Sequence, residues 1–100
     1  MNINITSRKF KAKESLKEFI NDEINSLRKF NDDIMEANVV LSFTHPKDSI
    51  KETEITLQLP GQLLTVSDSS EDFFKSVTGA VNKLERQLKK LKSKRLAKVR

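Results

Sequence analysis

One side of every alternating stretch in this chain is apolar, and the other is dominated by Asn, Thr, Ser, Gln and Glu. Ile3 and Ile5 alternate with Asn2, Asn4 and Thr6 over residues 2–6; Val39, Leu41 and Phe43 alternate with Val40, Ser42 and Thr44. Thr53, Ile55, Leu57 and Leu59 oppose Glu54, Thr56 and Gln58, and a short strand of Leu64 and Val66 follows the turn Pro60-Gly61. A period of two belongs to half-buried strands. Strands of this kind make a sheet that is covered on one face only. Pro46-Lys47-Asp48-Ser49 has the composition of a turn, so the second and third strands form a hairpin.

The cover comes from two segments with a different period. Between Lys13 and Phe30, Leu16, Phe19, Ile20, Ile24, Leu27 and Phe30 recur at steps of three and four, which gives one apolar stripe on a helix. Glu14 suits the start of that helix and Asn31-Asp32-Asp33 ends it. A second stripe, Phe74, Val77, Val81, Leu84, Leu88 and Leu91, is widened by Phe73 and Ala80. Ser69 with Asp72 fits a capping box before it. The order is β-α-β-β-β-α, an α+β two-layer sandwich with both helices on the apolar face of a four-stranded sheet. A right-handed crossover through the first helix makes strands one and two parallel; the other neighbours are antiparallel. With 36% hydrophobic residues and a mean hydropathy of −0.54, the core must be economical. Residues 1–95 form one domain, and 96–100 a basic tail.

Charge is distributed unevenly. Residues 86–100 hold eight Lys or Arg and no acid, whereas the first 85 hold eleven basic and fourteen acidic side chains. The net charge of +5 therefore comes from one end. Lys83, Arg86, Lys90 and Lys94 form a stripe on the second helix, broadened by Lys89, Lys92 and Arg95. A helix from about Ser70 to Arg95 is roughly 39 Å long, and a six-residue strand spans only ~20 Å, so the charged end projects beyond the sheet. Like charges at i,i+4 destabilise a free helix, and phosphate is the partner that compensates them. Arg28 and Lys29 close the first helix and either join this surface or complement the helix dipole. The Phe74–Leu91 stripe also admits a heptad seam, and with it a dimeric structural protein whose basic tail binds nucleic acid. Packing against the sheet is the better reading, because the sheet otherwise lacks a cover and fewer than three heptads are present.

Other chemistries find no support. There is no Cys and a single His, His45, so neither a disulfide framework nor a metal or nucleophile cluster is built, and no cofactor is expected. Gly61 and Gly79 are the only glycines, too few for a phosphate-binding loop. No segment reads as a signal peptide or a membrane span, so the expected location is the cytoplasm. The six Phe fall mainly on core faces, so an RNA would be read by shape and backbone rather than by base stacking on the sheet. An enzyme is the weakest class, and no small-molecule substrate is implied.

Asn4-Ile5-Thr6-Ser7-Arg8, Leu59-Pro60-Gly61, Ser70-Glu71-Asp72 and above all Asn82-Lys83-Leu84-Glu85-Arg86-Gln87-Leu88-Lys89-Lys90 resemble the bacterial ribosome hibernation-promoting factors. That family is also called ribosome-associated inhibitor A or sigma-54 modulation protein. The likeness runs from about Asn2 to Lys94. It implies a fold similar to a double-stranded RNA-binding domain and a translation inhibitor of idle, stressed or stationary-phase cells. Such a factor sits on the small ribosomal subunit, against 16S rRNA, over the mRNA path and the A- and P-sites. By position, the resemblance assigns rRNA contacts to Lys83, Arg86, Lys89 and Lys90, to Arg28 and Lys29, and to Arg8. Two departures stand out: Lys13-Glu14 replaces the usual Thr-Pro helix start, and neither the pairing domain of long members nor the acidic extension of some short ones is expected here. A short-form factor, monomeric when free, is the expectation.

Overall fold

The computed structural model describes residues 1–45 and 50–98, with the side chains of His45 and of 93–98 outside that description. The turn expected at 46–49 thus lies outside the described residues. The elements are β1 (Asn2–Ser7), α1 (Glu14–Asn25), β2 (Glu36–His45), β3 (Ile50–Leu59), β4 (Gln62–Ser70) and α2 (Phe73–Lys98), with a 3-10 segment, Ser26–Lys29, after α1. The sheet runs β1-β2-β3-β4; β1 is parallel to β2 and the remaining pairs are antiparallel. The α+β sandwich read from periodicity is the fold observed.

Register explains which side chains face the helices. Ile3, Ala37, Leu57 and Leu64 form one row across the four strands, and Ile5, Val39, Ile55 and Val66 the next. Against these rows lie Leu16, Ile20, Ile24 and Leu27 from the first helical segment, and Val77, Ala80, Val81, Leu84 and Leu88 from α2, all buried. Since α2 gives this stripe to the sheet, no free heptad seam remains among the described residues.

A third row, Ser7, Leu41, Thr53 and Asp68, carries polar groups that tie the layers together. The fully buried Thr53 and Ser76 share a hydrogen bond of 2.8 Å between their hydroxyls. Asp68 lies over Gly79 of α2, where a Cβ would collide with its carboxylate. The absence of a side chain at Gly79 thus leaves room for the Asp68 carboxylate against the helix. At the β3–β4 turn, Gly61 adopts φ +78°, which the bare residue tolerates.

Several local expectations are corrected. Ser69 and Ser70 belong to β4, and Asp72 caps α2 instead, its Oδ1 accepting the Phe74 N–H at 2.7 Å. The capping-box pairing therefore does not form as read. Phe73, not Phe74, enters the core: Phe73 is 8% exposed and Phe74 41%. Phe43, expected on the core face, is 39% exposed beside a register shift at the end of β2, though it still packs on Phe10 and Phe73 with ring centroids 5.1 and 5.6 Å away. The regular α1 helix stops at Asn25 and tightens into the 3-10 segment, after which Asn31 Oδ1 accepts the Asp33 N–H. Lys13 precedes α1 and its ammonium group has no acceptor to offer, so the helix begins without a side-chain cap.

Candidate nucleic-acid interface

Both helices begin at the end of the sheet where Ser7 pairs with Leu41 and Lys51 with Ser70, so they run in the same direction. From the level of Thr53, which touches Ser76, the sheet continues six residues to Leu59, roughly 20 Å. The same distance on α2 is about thirteen residues, reaching Lys89. Leu88 is accordingly the last fully buried side chain of the stripe and Leu91 is half-buried. Beyond it the helix runs clear of the sheet, in a molecule whose longest dimension is 53 Å.

Where α2 leaves the sheet, the end of the first helical segment meets it. The Nζ atoms of Lys29 and Lys89 both lie 5.3 Å from the centroid of the half-buried Phe30 ring. One aromatic side chain thus holds two ammonium groups from elements sixty residues apart in sequence. Lys89 is further steadied by Glu85 at 3.3 Å. Arg28 is exposed beside them. Arg86 and Lys90 sit one turn apart on the side of α2 that faces away from Leu84 and Leu88; both are exposed, and neither has an ion-pair partner among the described residues. Lys29 and Lys89 therefore meet across the two elements, Arg28 is exposed next to Lys29 in the chain, and Arg86 and Lys90 carry the charge along the outer side of α2.

The remaining expected residues are placed differently. Lys83 turns back over β4: its Nζ donates to the Ser67 carbonyl at 2.6 Å and pairs with Asp68 Oδ1 at 3.2 Å. It flanks the surface with its charge partly matched. The Lys94 side chain lies outside the described residues. Arg8 is exposed at the opposite end of the sandwich, where its N–H donates to the Leu41 carbonyl. There it joins Lys9, Lys11 and Lys13 in the segment between β1 and α1, with Lys9 at φ 64°. The sequence reading missed this second cluster and the part played by Phe30. The alternation of Arg8, Lys9, Lys11 and Lys13 around Phe10 was a visible signal for the first; nothing local marks the second.

The open face of the sheet has the opposite character. Its rows are Asn4, Asn38, Thr56 and Thr65, then Thr6, Val40, Glu54 and Ser67, with Glu36 and Glu52 alongside. Asn4 Nδ2 donates to Glu36 and Asn38, and the Thr56 and Thr65 hydroxyls are 3.2 Å apart. Among the described residues, these strand rows hold three carboxylates and no base, so this face is electrostatically unfavourable to a polyanion. Among the described residues no cluster of His, Cys, Asp or Glu could hold a metal ion, and no helix is long and apolar enough to cross a membrane.

Comparison with known proteins agrees with this architecture. The family described as "Sigma 54 modulation protein / S30EA ribosomal protein" matches residues 3–96. The "Ribosome hibernation promoting factor" of Escherichia coli K12 is 32% identical over 97 residues, covering 94% of this chain and 96% of that protein. The "Ribosome hibernation promotion factor" of Bacillus subtilis is 29% identical over 94 residues, 94% of this chain but only 50% of the relative, so the chain spans half of that longer protein. Among solved structures, the N-terminal domain of Thermus thermophilus Protein Y superposes with a TM-score of 0.81 at 27% identity, covering 91% of this chain and 99% of that one. A ribosomal subunit interface protein from Coxiella burnetii gives 0.85 at 25% identity, covering 93% and 99%. The chain belongs to the sigma 54 modulation protein / S30EA ribosomal protein family.

Proposed function

We propose that this member of the family is a ribosome hibernation factor of the cytoplasm that binds the small subunit through 16S rRNA. It lies in the channel used by mRNA and by A- and P-site tRNA and stops translation by occupying it. The observation that carries this reading is the convergence of Lys29 and Lys89 on Phe30 where α2 leaves the sheet, with Arg28, Arg86 and Lys90 exposed on the same two elements, opposite an acidic sheet face. Cations held on two rigid elements match phosphates at fixed spacing, and phosphate contacts position a protein on a nucleic acid. No bond is made or broken; the domain is an obstacle. Lys83 stabilises the α2–β4 contact, and Lys94 is a further rRNA contact proposed from the helical spacing of the sequence. Arg8, about one α1 length (roughly 18 Å) from the main surface, reaches a separate stretch of backbone.

Gradient sedimentation with purified subunits tests the placement. Comigration with the small subunit, diminished by excess tRNA or mRNA, is expected. Binding to the large subunit alone, or binding indifferent to tRNA and mRNA, would overturn it. Thr56→Ala with Gln58→Ala on the open face is expected to leave sedimentation unchanged, since among the described residues their strand neighbours are Asn38, Thr65, Glu36 and Leu63, none of them a cation or an aromatic ring. Phe30→Leu isolates the role of the ring, because it retains an apolar side chain and every charge. Two cation–π contacts at about 0.5–1 kcal/mol each predict an affinity loss of at most about five- to thirtyfold with the salt dependence unchanged. A flatter salt dependence in this variant would mean that the ring does something other than hold the lysines in place.

A further inference from the structure

At the end remote from the main cationic surface, a cavity of about 360 Å³ opens between the β1–α1 segment and the start of α2. Its lining includes Phe10, Phe73 and Phe74 together with Lys11, Lys13 and Glu71. We propose that this cavity receives one unstacked nucleotide, the base against the phenylalanine rings and the phosphate on Lys11 and Lys13. The choice of a nucleotide rests on the RNA-binding reading above; the cavity itself does not.

Three features specify the ligand. The wall is aromatic: Phe10 and Phe73 stack with centroids 5.1 Å apart and planes 13° apart, and Phe74 leans on Phe19 at 5.1 Å while remaining 41% exposed. An exposed ring held in place by another ring is a stacking platform, and bases stack on such platforms with little regard to sequence. The rim is cationic, with Lys11 and Lys13 exposed in the same segment as Arg8 and Lys9. Two carboxylates also line it, Asp72, which accepts the Phe74 N–H, and Glu71, which lies 3.8 Å from Lys75; with Lys51 the lining carries three ammonium groups against these two. The volume falls at the lower end of the range for small-ligand sites, about 300–1,000 Å³, which suits a single nucleotide and excludes a duplex. An aliphatic acid would satisfy the lysines and leave the aromatic wall unmatched. Recognition by stacking thus enters through a loop-lined cavity, not through the sheet face where the strand pattern gave no reason to expect it.

Amide chemical shifts of the full chain provide the test, with guanosine 5′-monophosphate, a single-stranded RNA hexamer and inorganic phosphate as probes. The two nucleotide probes are expected to move the amides of Phe10, Lys11, Ser15 and Phe74, and phosphate is expected not to. A hexamer at least tenfold tighter than the mononucleotide assigns the site to an RNA chain; the reverse order assigns it to a free nucleotide. Phe74→Ala is expected to weaken binding about tenfold. Lys11→Glu, on an exposed loop position that leaves the fold intact, should weaken it too. Shifts reproduced by phosphate alone, or cavity amides that stay still while the protein sediments with the small subunit, overturn the proposal and leave the ribosome reading standing. Failure of the wild type to sediment with the small subunit overturns that reading separately.

Discussion

Arg86→Glu combined with Lys90→Glu is expected to release the protein from the small ribosomal subunit while leaving its melting temperature unchanged. These two side chains project from α2 directly away from the sheet, and both are exposed. Neither is engaged in an ion pair among the described residues, so reversing them removes nothing that holds the fold. If about five phosphates are contacted at a slope near −0.8 each, wild-type affinity drops about 250-fold between 50 and 200 mM salt. With two contacts gone, the remaining three give only about a thirtyfold drop over the same range. Sedimentation across a salt series measures both the loss and the slope. An unchanged slope would move the phosphate contacts to another face.

Lys83 is left out of that variant because it has a second task. Its ties to Ser67 and Asp68 join α2 to the edge strand β4, next to the close approach at Gly79. A charge reversal there places two carboxylates together and mixes a stability effect with a binding effect. Arg86 and Lys90 separate the two. Their position on an isolated ridge also explains why the sequence tolerates like charges one turn apart: repulsion of a few tenths of a kcal/mol is small beside the core packing of α2.

The architecture was legible because each element declares its period, and because Ile3, Val39, Ile55 and Val66 fall into one row once the strands align. The Phe73–Phe74 pair was misjudged for a geometric reason. Extending a strict three-four step back from Leu88 drifts about 20° per heptad against a real helix. Two heptads move Phe74 off the core line and bring Phe73 onto it. The capping serines were misjudged because β4 continues through them, held by pairing to Lys51 and Glu52 on β3. For the candidate site, the cations of α2 were visible as a helical stripe. The role of Phe30 was not, since a ring shared by Lys29 and Lys89 depends on where two helical segments converge. Nor was the diversion of Lys83, which requires the register that brings Asp68 over Gly79.

The apolar stripe of α2 decides the oligomeric state, and Leu84→Ala tests it. Leu84 is completely buried, between Val81 and Leu88 on the face that covers the sheet. Truncating a buried Leu costs about 2–5 kcal/mol through lost transfer energy and the cavity left behind. That is a large share of the roughly 5–15 kcal/mol a domain possesses. At 4–8 °C per kcal/mol for a chain of this size, the midpoint should fall by at least about 8 °C. If the stripe instead joined two copies, the same change would dissociate a dimer and the midpoint would depend on protein concentration. A monomer whose wild-type and Leu84→Ala midpoints hold constant over a hundredfold dilution is expected, because the side chains that a seam would use already meet Val39, Ile55 and Val66 in the core. Light scattering that showed a stable free dimer, or a wild-type midpoint that rose with concentration, would return the stripe to the coiled-coil reading.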